Sequence, residues 1–260
     1  MTGDKLRFRF AKTGSLRLLS HHDLMRCLER MLRRAQIPFK STAGFHPSPR
    51  VVFALSLPLG VIGRDEVVEI ELNHPHPVEE VRAALNTQAP EGLAFTRGAA
   101  IPMKATAVPR RVHYTLALQT DLSTIAERAA ELLARDKIWV DRIRPTPKRL
   151  NIRPYVRSLS VVGENLLLDL WVTQTGTARA DEIARLLDLP DLTDAGAILE
   201  RTLIEVRDEV TASDPADSPP DGPADSLPLD TAASPAPVAD RETQTAEAQW
   251  GASPSGPVVE

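Results

Sequence analysis

The chain reads as an α+β protein: a tandem of two ferredoxin-like (split βαβ) domains, each with an extra strand, followed by a disordered tail. Three observations predict this. Strand and helix patterns run strand–helix–three strands–helix–strand, and the same order returns about 105 residues later. The strands alternate apolar and polar residues, as strands covered on one face do. Beyond residue 210 the composition changes, with nine of the 22 prolines and nine Asp or Glu against a single Arg. The expected boundaries are 1–103, 104–210 and a disordered acidic Pro-rich tail at 211–260.

Residues 5–10, "KLRFRF", place Leu6, Phe8 and Phe10 on one face and Lys5, Arg7 and Arg9 on the other. Ser20 then precedes a helix whose Leu24, Leu28, Met31, Leu32 and Ala35 share a face, and Ser20 with Asp23 makes a variant capping box. Pro38 closes that unit. A short strand is expected at Phe39–Thr42, a buried one at "VVFALSL" (51–57) and an alternating one at "VVEIEL" (67–72). A helix beginning near Pro77 and the strand "GLAFTRG" complete the first block. The second opens with the strand "RVHYTLALQT" (111–120) and a helix capped at Asp121 that turns Ile125, Ala129, Leu132 and Leu133 inward. Three strands are expected at "KIWVDRI", "RLNIRPYV" and "NLLLDLWVT", then the helix "ARADEIARLLDL" and the last strand "TLIEVRDEV".

Composition narrows the function classes. The formal net charge of −4 divides into a mildly basic body, 30 basic against 26 acidic residues in 1–210, and an acidic tail. Residues 1–60 carry 11 basic residues against three acidic ones, which favours an anionic partner. The tail has too few branched and aromatic residues to offset chain entropy. One cysteine, Cys27, excludes an intramolecular disulfide, a Cys-rich zinc site and an iron–sulfur cluster of its own; its place beside the apolar stripe suits a core residue. No cofactor is expected. No run approaches the ~20 apolar residues of a membrane span, and "MTGDKLRFRF" has no signal-peptide core, so the expected compartment is the cytoplasm. "PLGVIGRDE" lacks the lysine of a phosphate-binding P-loop and reads as a loop between strands.

Two groups of residues could carry chemistry. The first is a basic sheet face: Lys5, Arg7 and Arg9 in the first block, and Arg149, Arg153, Tyr155 and Arg157 in the second, beside Arg142, Arg144 and Lys148. Cations for phosphates and a ring for a base are the chemistry of RNA-recognition sheets. The plainer alternative is a solvated strand face, and Glu69 and Glu71 interrupt the patch; Pro154 suggests an edge or bulged strand. The second group is His21, His22, Asp23, His46 and Arg50. A parallel strand–helix–strand unit would bring "SHHD" and "GFHPSPR" to one sheet edge, as a phosphate cradle with a helix N-terminus. Metal binding by His21, Asp23 and His46, acid–base catalysis by His21 or His46, and a purely structural role are the rivals. Arg26, Arg30, Arg33 and Arg34 line the polar face of the first helix, and His74 and His76 make a short HPH pair.

The stretch from "FAKTGSLRLLSHHDLMRCLERMLRRAQIPFK" through "GFHPSPRVVFALSLPLG" to "VVEIEL" resembles the bacterial radical SAM-linked proteins, a domain of unknown function. The likeness covers about residues 5–72 and continues more loosely, through "LNIRPYV", to about 205. It rests on motifs of the form S-H-x-D and G-F-x-P-x-P, here Ser20, His21, Asp23, Gly44, Phe45, Pro47 and Pro49, and on P-L-G at Pro58–Gly60. His46 and Ser48 stand where Asn and His are frequent, which moves weight from His46 to His21 and Asp23. The resemblance implies a partner, a radical SAM protein with a cobalamin-type domain, rather than a reaction. The expected function is therefore an accessory or substrate-binding protein for that enzyme, taking RNA or another phosphate-bearing substrate at the basic face and at His21, Asp23 and Arg50. Gly44, Phe45, Pro47, Pro49, Pro58 and Gly60 would shape the loops. The alternatives are an RNA-processing or RNA-modifying enzyme using His21 and Asp23, and a pure protein-interaction module.

Overall fold

The alternation in residues 5–10 becomes the strand on which the first half is built, β1 (Thr2–Lys12), with Leu6, Phe8 and Phe10 buried under helices. In the computed structural model the described residues are 2–118, 121–143, 146–189, 198–209, 222 and 224–228, all within one compact unit, Met1–Leu229. After β1 come α1 (His21–Arg34), β2 (Val51–Phe53), β3 (Ile62–Pro77), α2 (Val78–Gln88) and β4 (Leu93–Ala100). The second half runs β5 (Pro109–Ala117), α3 (Leu122–Ala134), β6 (Trp139–Arg142), β7 (Lys148–Asn151), β8 (Val156–Val162), β9 (Asn165–Trp171), α4 (Ala180–Leu186) and β10 (Leu199–Val206). A short strand, β11 (Ser226–Pro228), follows.

The result is a mixed α+β architecture around one large sheet. Among the described residues eight strands join it, in the order β4-β1-β3-β10-β5-β9-β8, with β2 also on β3. Neighbours within each half are antiparallel; β3 and β10 meet in parallel at Ile62–Glu200 and Gly63–Arg201. One apolar core joins α1 and α2 to β1, β3 and β4, with the Phe95 ring in contact with both Phe8 and Phe10. A second joins α3 and α4 to β5, β8, β9 and β10, and it also takes in Leu57, Val61 and Val67 from the first half. Burying side chains of this size stabilises the fold by about 1.5–3 kcal/mol each.

Both predicted helix caps form: Ser20 Oγ accepts from the Asp23 N–H at 3.2 Å, and the Asp121 carboxylate accepts from the Ser123 N–H at 3.1 Å. Several expectations need correction. Phe39–Thr42 makes isolated bridges, Phe39 to Leu72 and Ser41 to Pro49, rather than a strand. The strand expected at 51–57 has three residues and stays half-exposed. "RLNIRPYV" is not one strand. The Asn151 side chain accepts from the N–H groups of Ile138 and Arg153, and Arg153–Tyr155 then forms a 3-10 turn. The chain there makes two strands, β7 and β8, where one was expected. The β6–β7 hairpin leaves the main sheet and pairs with β11 as a three-stranded sheet. Residues 211–260 are therefore not wholly an unpaired tail: Ser226–Pro228 is a strand, and Lys137 holds Asp225 at 2.9 Å. Apart from Gly222 and Ala224–Pro228, that segment lies outside the described residues, as does Arg144.

Candidate functional site

The sheet face opposite the helices is closed in the first half. Lys5, Arg7 and Arg9, expected to meet RNA, are each about 95% buried. Lys5 Nζ lies 3.0 Å from Glu69 and donates to the Ala105 carbonyl at 2.5 Å. Arg7 donates to Glu69 at 2.8 Å and to Asp208 at 2.8 and 2.9 Å, while Arg9 pairs with Asp65 and Glu209. The linker near Ala105–Ala107 and the turn Arg207–Glu209 thus cover these cations. Burial disfavours the Arg7 guanidinium, but Asp208, Glu69 and Glu209 outweigh it and raise its pKa. The Arg7 hydrogen bond in turn holds the Asp208 carboxyl below the ordinary carboxylate value. These groups are an internal ion network that joins the two halves of the chain, and the expectation of an open cationic face is corrected here.

In the second half the expected face is broken up: Arg149 and Arg157 stay exposed, but Tyr155 does not. Tyr155 is fully buried, with its hydroxyl 3.3 Å from Thr175 Oγ1, so its ring is closed to a base. Arg153 donates to the carbonyls of Leu133 and Val156. Arg149 pairs with Asp141 at 2.9 Å, and Arg157 with Asp169 at 2.8 Å. Lys148 faces Arg142 and Pro228 across its strand, and Arg142 pairs with Glu182 at 2.7 Å. The burial pattern alone would have hidden this, because alternation reports two faces without saying what covers the second.

"SHHD" and "GFHPSPR" do not converge. Gly44–Arg50 leads into β2 rather than out of it, and in a parallel β1–α1–β2 unit the helix start lies toward the far end of that strand. His21 packs edge-on against Phe53, ring centroids 5.3 Å apart. Burial pushes its pKa down, and His22 and Lys12 add to the effect. Asp23 is committed to the cap and lies 3.4 Å from Arg26. Arg50 lies 3.5 Å from Glu71, beside Lys40, and His46 is exposed. His74 and His76 have ring centroids 5.0 Å apart. Among the described residues no group of three or more His, Cys, Asp or Glu is arranged to hold a metal ion.

A cleft of about 860 Å³ lies where the two halves meet. Its floor is Val112 and Tyr114 of β5 with Leu199 and Arg201 of β10. One wall is the loop Leu55–Val61 with Arg17 and Leu18; the other is Thr177–Arg185, running into α4. The P-L-G motif shapes the first wall. Val61 donates to the Pro58 carbonyl at 3.3 Å, and Gly60 takes a left-handed φ of 83°, as the third residue of a tight turn requires. The Gly60 N–H donates to the Arg17 carbonyl at 2.9 Å, tying loop and turn together. Pro58 and Gly60 are thus the first and third residues of this turn.

Arg201 anchors the floor. It is 1% exposed, binds Glu66 through two hydrogen bonds of 2.8 and 2.5 Å, and donates to the carbonyls of Leu55 and Ser56. Burial disfavours its charge, yet Glu66 outweighs that and raises its pKa. Burial likewise lifts the Tyr114 phenol above its ordinary value and lowers the Lys12 ammonium nearby. On the rim, Arg185 pairs with Asp181 at 3.0 Å, whereas Arg17 and Arg179 have no ion-pair partner among the described residues. Leu18, Leu59 and Ile198 are exposed around the opening. The cleft thus offers an apolar lining and unpaired guanidinium groups, suited to a molecule with an apolar body and an anionic group. Sequence reading missed these residues. Arg179 and Arg185 look like a solvated helix face, and Arg201 joins Leu199 and Ile204 on the core face only because of an irregularity between Arg201 and Leu203.

Among the described residues no helix is long and apolar enough to cross a membrane. No curated protein matches the chain. A crystal structure of an unknown protein from Galdieria sulphuraria is similar over 79% of this chain and 99% of that one, at 11% identity and a TM-score of 0.24, a likeness too slight to inform the fold. The model of a family described as an uncharacterized protein conserved in bacteria, DUF2344, matches residues 5–180, from β1 to the start of α4, including the first wall of the cleft and the start of the second. The chain belongs to the bacterial family DUF2344.

Proposed function

We propose that the chain is a non-catalytic binding protein that serves a partner enzyme, and that its cleft receives a phosphate-bearing substrate with an apolar portion. The observation that carries this is the pairing of an apolar lining with Arg17 and Arg179 on the rim, where Asp181 is the one carboxylate among the described lining residues and is engaged by Arg185. The resemblance to radical SAM-linked proteins supplies the partner, a radical SAM protein with a cobalamin-type domain. Each half has the strand arrangement of a ferredoxin-like unit, β4-β1-β3-β2 and β10-β5-β9-β8, which supports a tandem origin with a boundary near residue 103. A catalytic role for His21 and Asp23 has less support, since Asp23 caps a helix and His21 rests on Phe53.

Calorimetry on the full chain with dodecyl phosphate, kept below its micelle concentration, tests the cleft. Binding should exceed that of dodecanol and of inorganic phosphate, and the Arg17→Ala/Arg179→Ala double variant should bind about ten-fold or more weakly. Equal binding by the variant, or none by the native chain, would remove the proposal.

A further inference from the structure

The segment Lys40–Arg50 is a built hairpin that presents one aromatic ring entirely to solvent. The Thr42 N–H donates to the Ser48 carbonyl at 2.8 Å, the Ser48 N–H to Thr42 Oγ1 at 3.1 Å, and the Arg50 N–H to the Lys40 carbonyl at 2.8 Å. Pro49 is buried at the base, where Phe39 bridges to Leu72 of β3. At the tip Gly44 takes a φ of 128°, open to glycine and strained for other residues. Phe45 follows it, fully exposed. Leaving such a ring in water forfeits the about 1.5–3 kcal/mol its burial would give, and nothing within the hairpin requires a ring at the tip.

The base of that hairpin is cationic. Lys40 and Arg50 flank the hairpin base, sharing one carboxylate, Glu71. The polar face of α1 continues the charge: Arg30 and Arg34 are exposed and have no ion-pair partner among the described residues, and Arg33 lies 5.2 Å above the Phe39 ring. A track of guanidinium groups along α1 thus ends, through Arg33 over Phe39, at the base of the hairpin whose tip carries Phe45. An apolar protein pocket would need only the ring. Backbone phosphates along the cations with a base stacked on Phe45 account for both features.

We propose that this arm and the α1 face bind single-stranded nucleic acid, with Phe45 as the stacking ring. The proposal is independent of the cleft, which lies at the opposite end of β2 and uses other arginines. Fluorescence anisotropy of the full chain with a labelled 12-nucleotide oligouridylate, and with the matching oligothymidylate, tests it and separates RNA from DNA. At low salt at least one should bind, with affinity falling as salt rises. Phe45→Ala should weaken binding about ten-fold or more. Phe45→Leu should do the same, because leucine fills an apolar pocket but does not stack, while Phe45→Trp should retain binding and show quenched emission. Arg30→Ala/Arg34→Ala should flatten the salt dependence. Absence of binding to both oligomers, an unaffected Phe45→Ala variant, or full activity of Phe45→Leu would overturn the assignment; loss of dodecyl phosphate binding in cleft variants would not touch it.

Discussion

His21 shows how one side chain can look catalytic and be structural. Its ring is wedged against Phe53, within the field of Lys12, so protonation costs more in the folded protein than in the unfolded chain. The folded pKa lies below the unfolded value near 6.5, and the folded state binds fewer protons between the two. Stability should therefore be flat above about pH 6.5 and fall as pH drops through that window toward the depressed value. Urea midpoints measured between about pH 7.5 and about pH 5 should show the fall, and His21→Gln should reduce it. An identical slope in the variant would shift the effect to other groups. The Ser20–Asp23 cap beside it was fully legible, because a cap is local chemistry at a fixed spacing. The partner of His21 was not, since nothing in residues 20–23 announces Phe53.

At the scale of elements, β3 depends on a glycine to seat a buried ion pair. A Cβ on Gly63 would lie 2.5 Å from Glu66 Cγ and 2.8 Å from its Oε1. Gly63→Ala should push Glu66 off Arg201 and destabilise the protein by about 3 kcal/mol, the cost of leaving one buried charge unpaired. In Glu66→Gln the ion pair is already lost, so adding Gly63→Ala should cost much less than it does alone. A double-mutant cycle by chemical denaturation measures this, and simple additivity would refute the coupling. The strands themselves were readable where period-two alternation meets one apolar face, as in β1, β3 and β5. The reading failed where a side chain replaced the ladder, as Asn151 does before the Arg153–Tyr155 turn. It failed also for the sheet face of Lys5, Arg7 and Arg9, whose carboxylates come from as far as Asp208 and Glu209. Pairing across two hundred residues leaves no trace in local pattern.

For the whole molecule, those pairs and the shared core make the halves interdependent. Leu57, Val61 and Val67 pack with the second core, while Arg7 and Arg9 draw part of their counter-charge from the turn after β10. Far-UV circular dichroism and tryptophan fluorescence should report a single coincident urea transition, and a fragment 1–103 should lack cooperative unfolding. Two separated transitions would show halves that fold alone. The junction has one more consequence. The edge of β3 is divided: β10 holds it at Ile62 and Gly63, β2 at Val68–Ile70, and Ala54 donates to Val67 between them. Just past that point the chain swings out, and Arg201 takes up the carbonyls of Leu55 and Ser56 in place of a strand. The cleft is thus the gap of a seam left unzipped, held open by a guanidinium wedge.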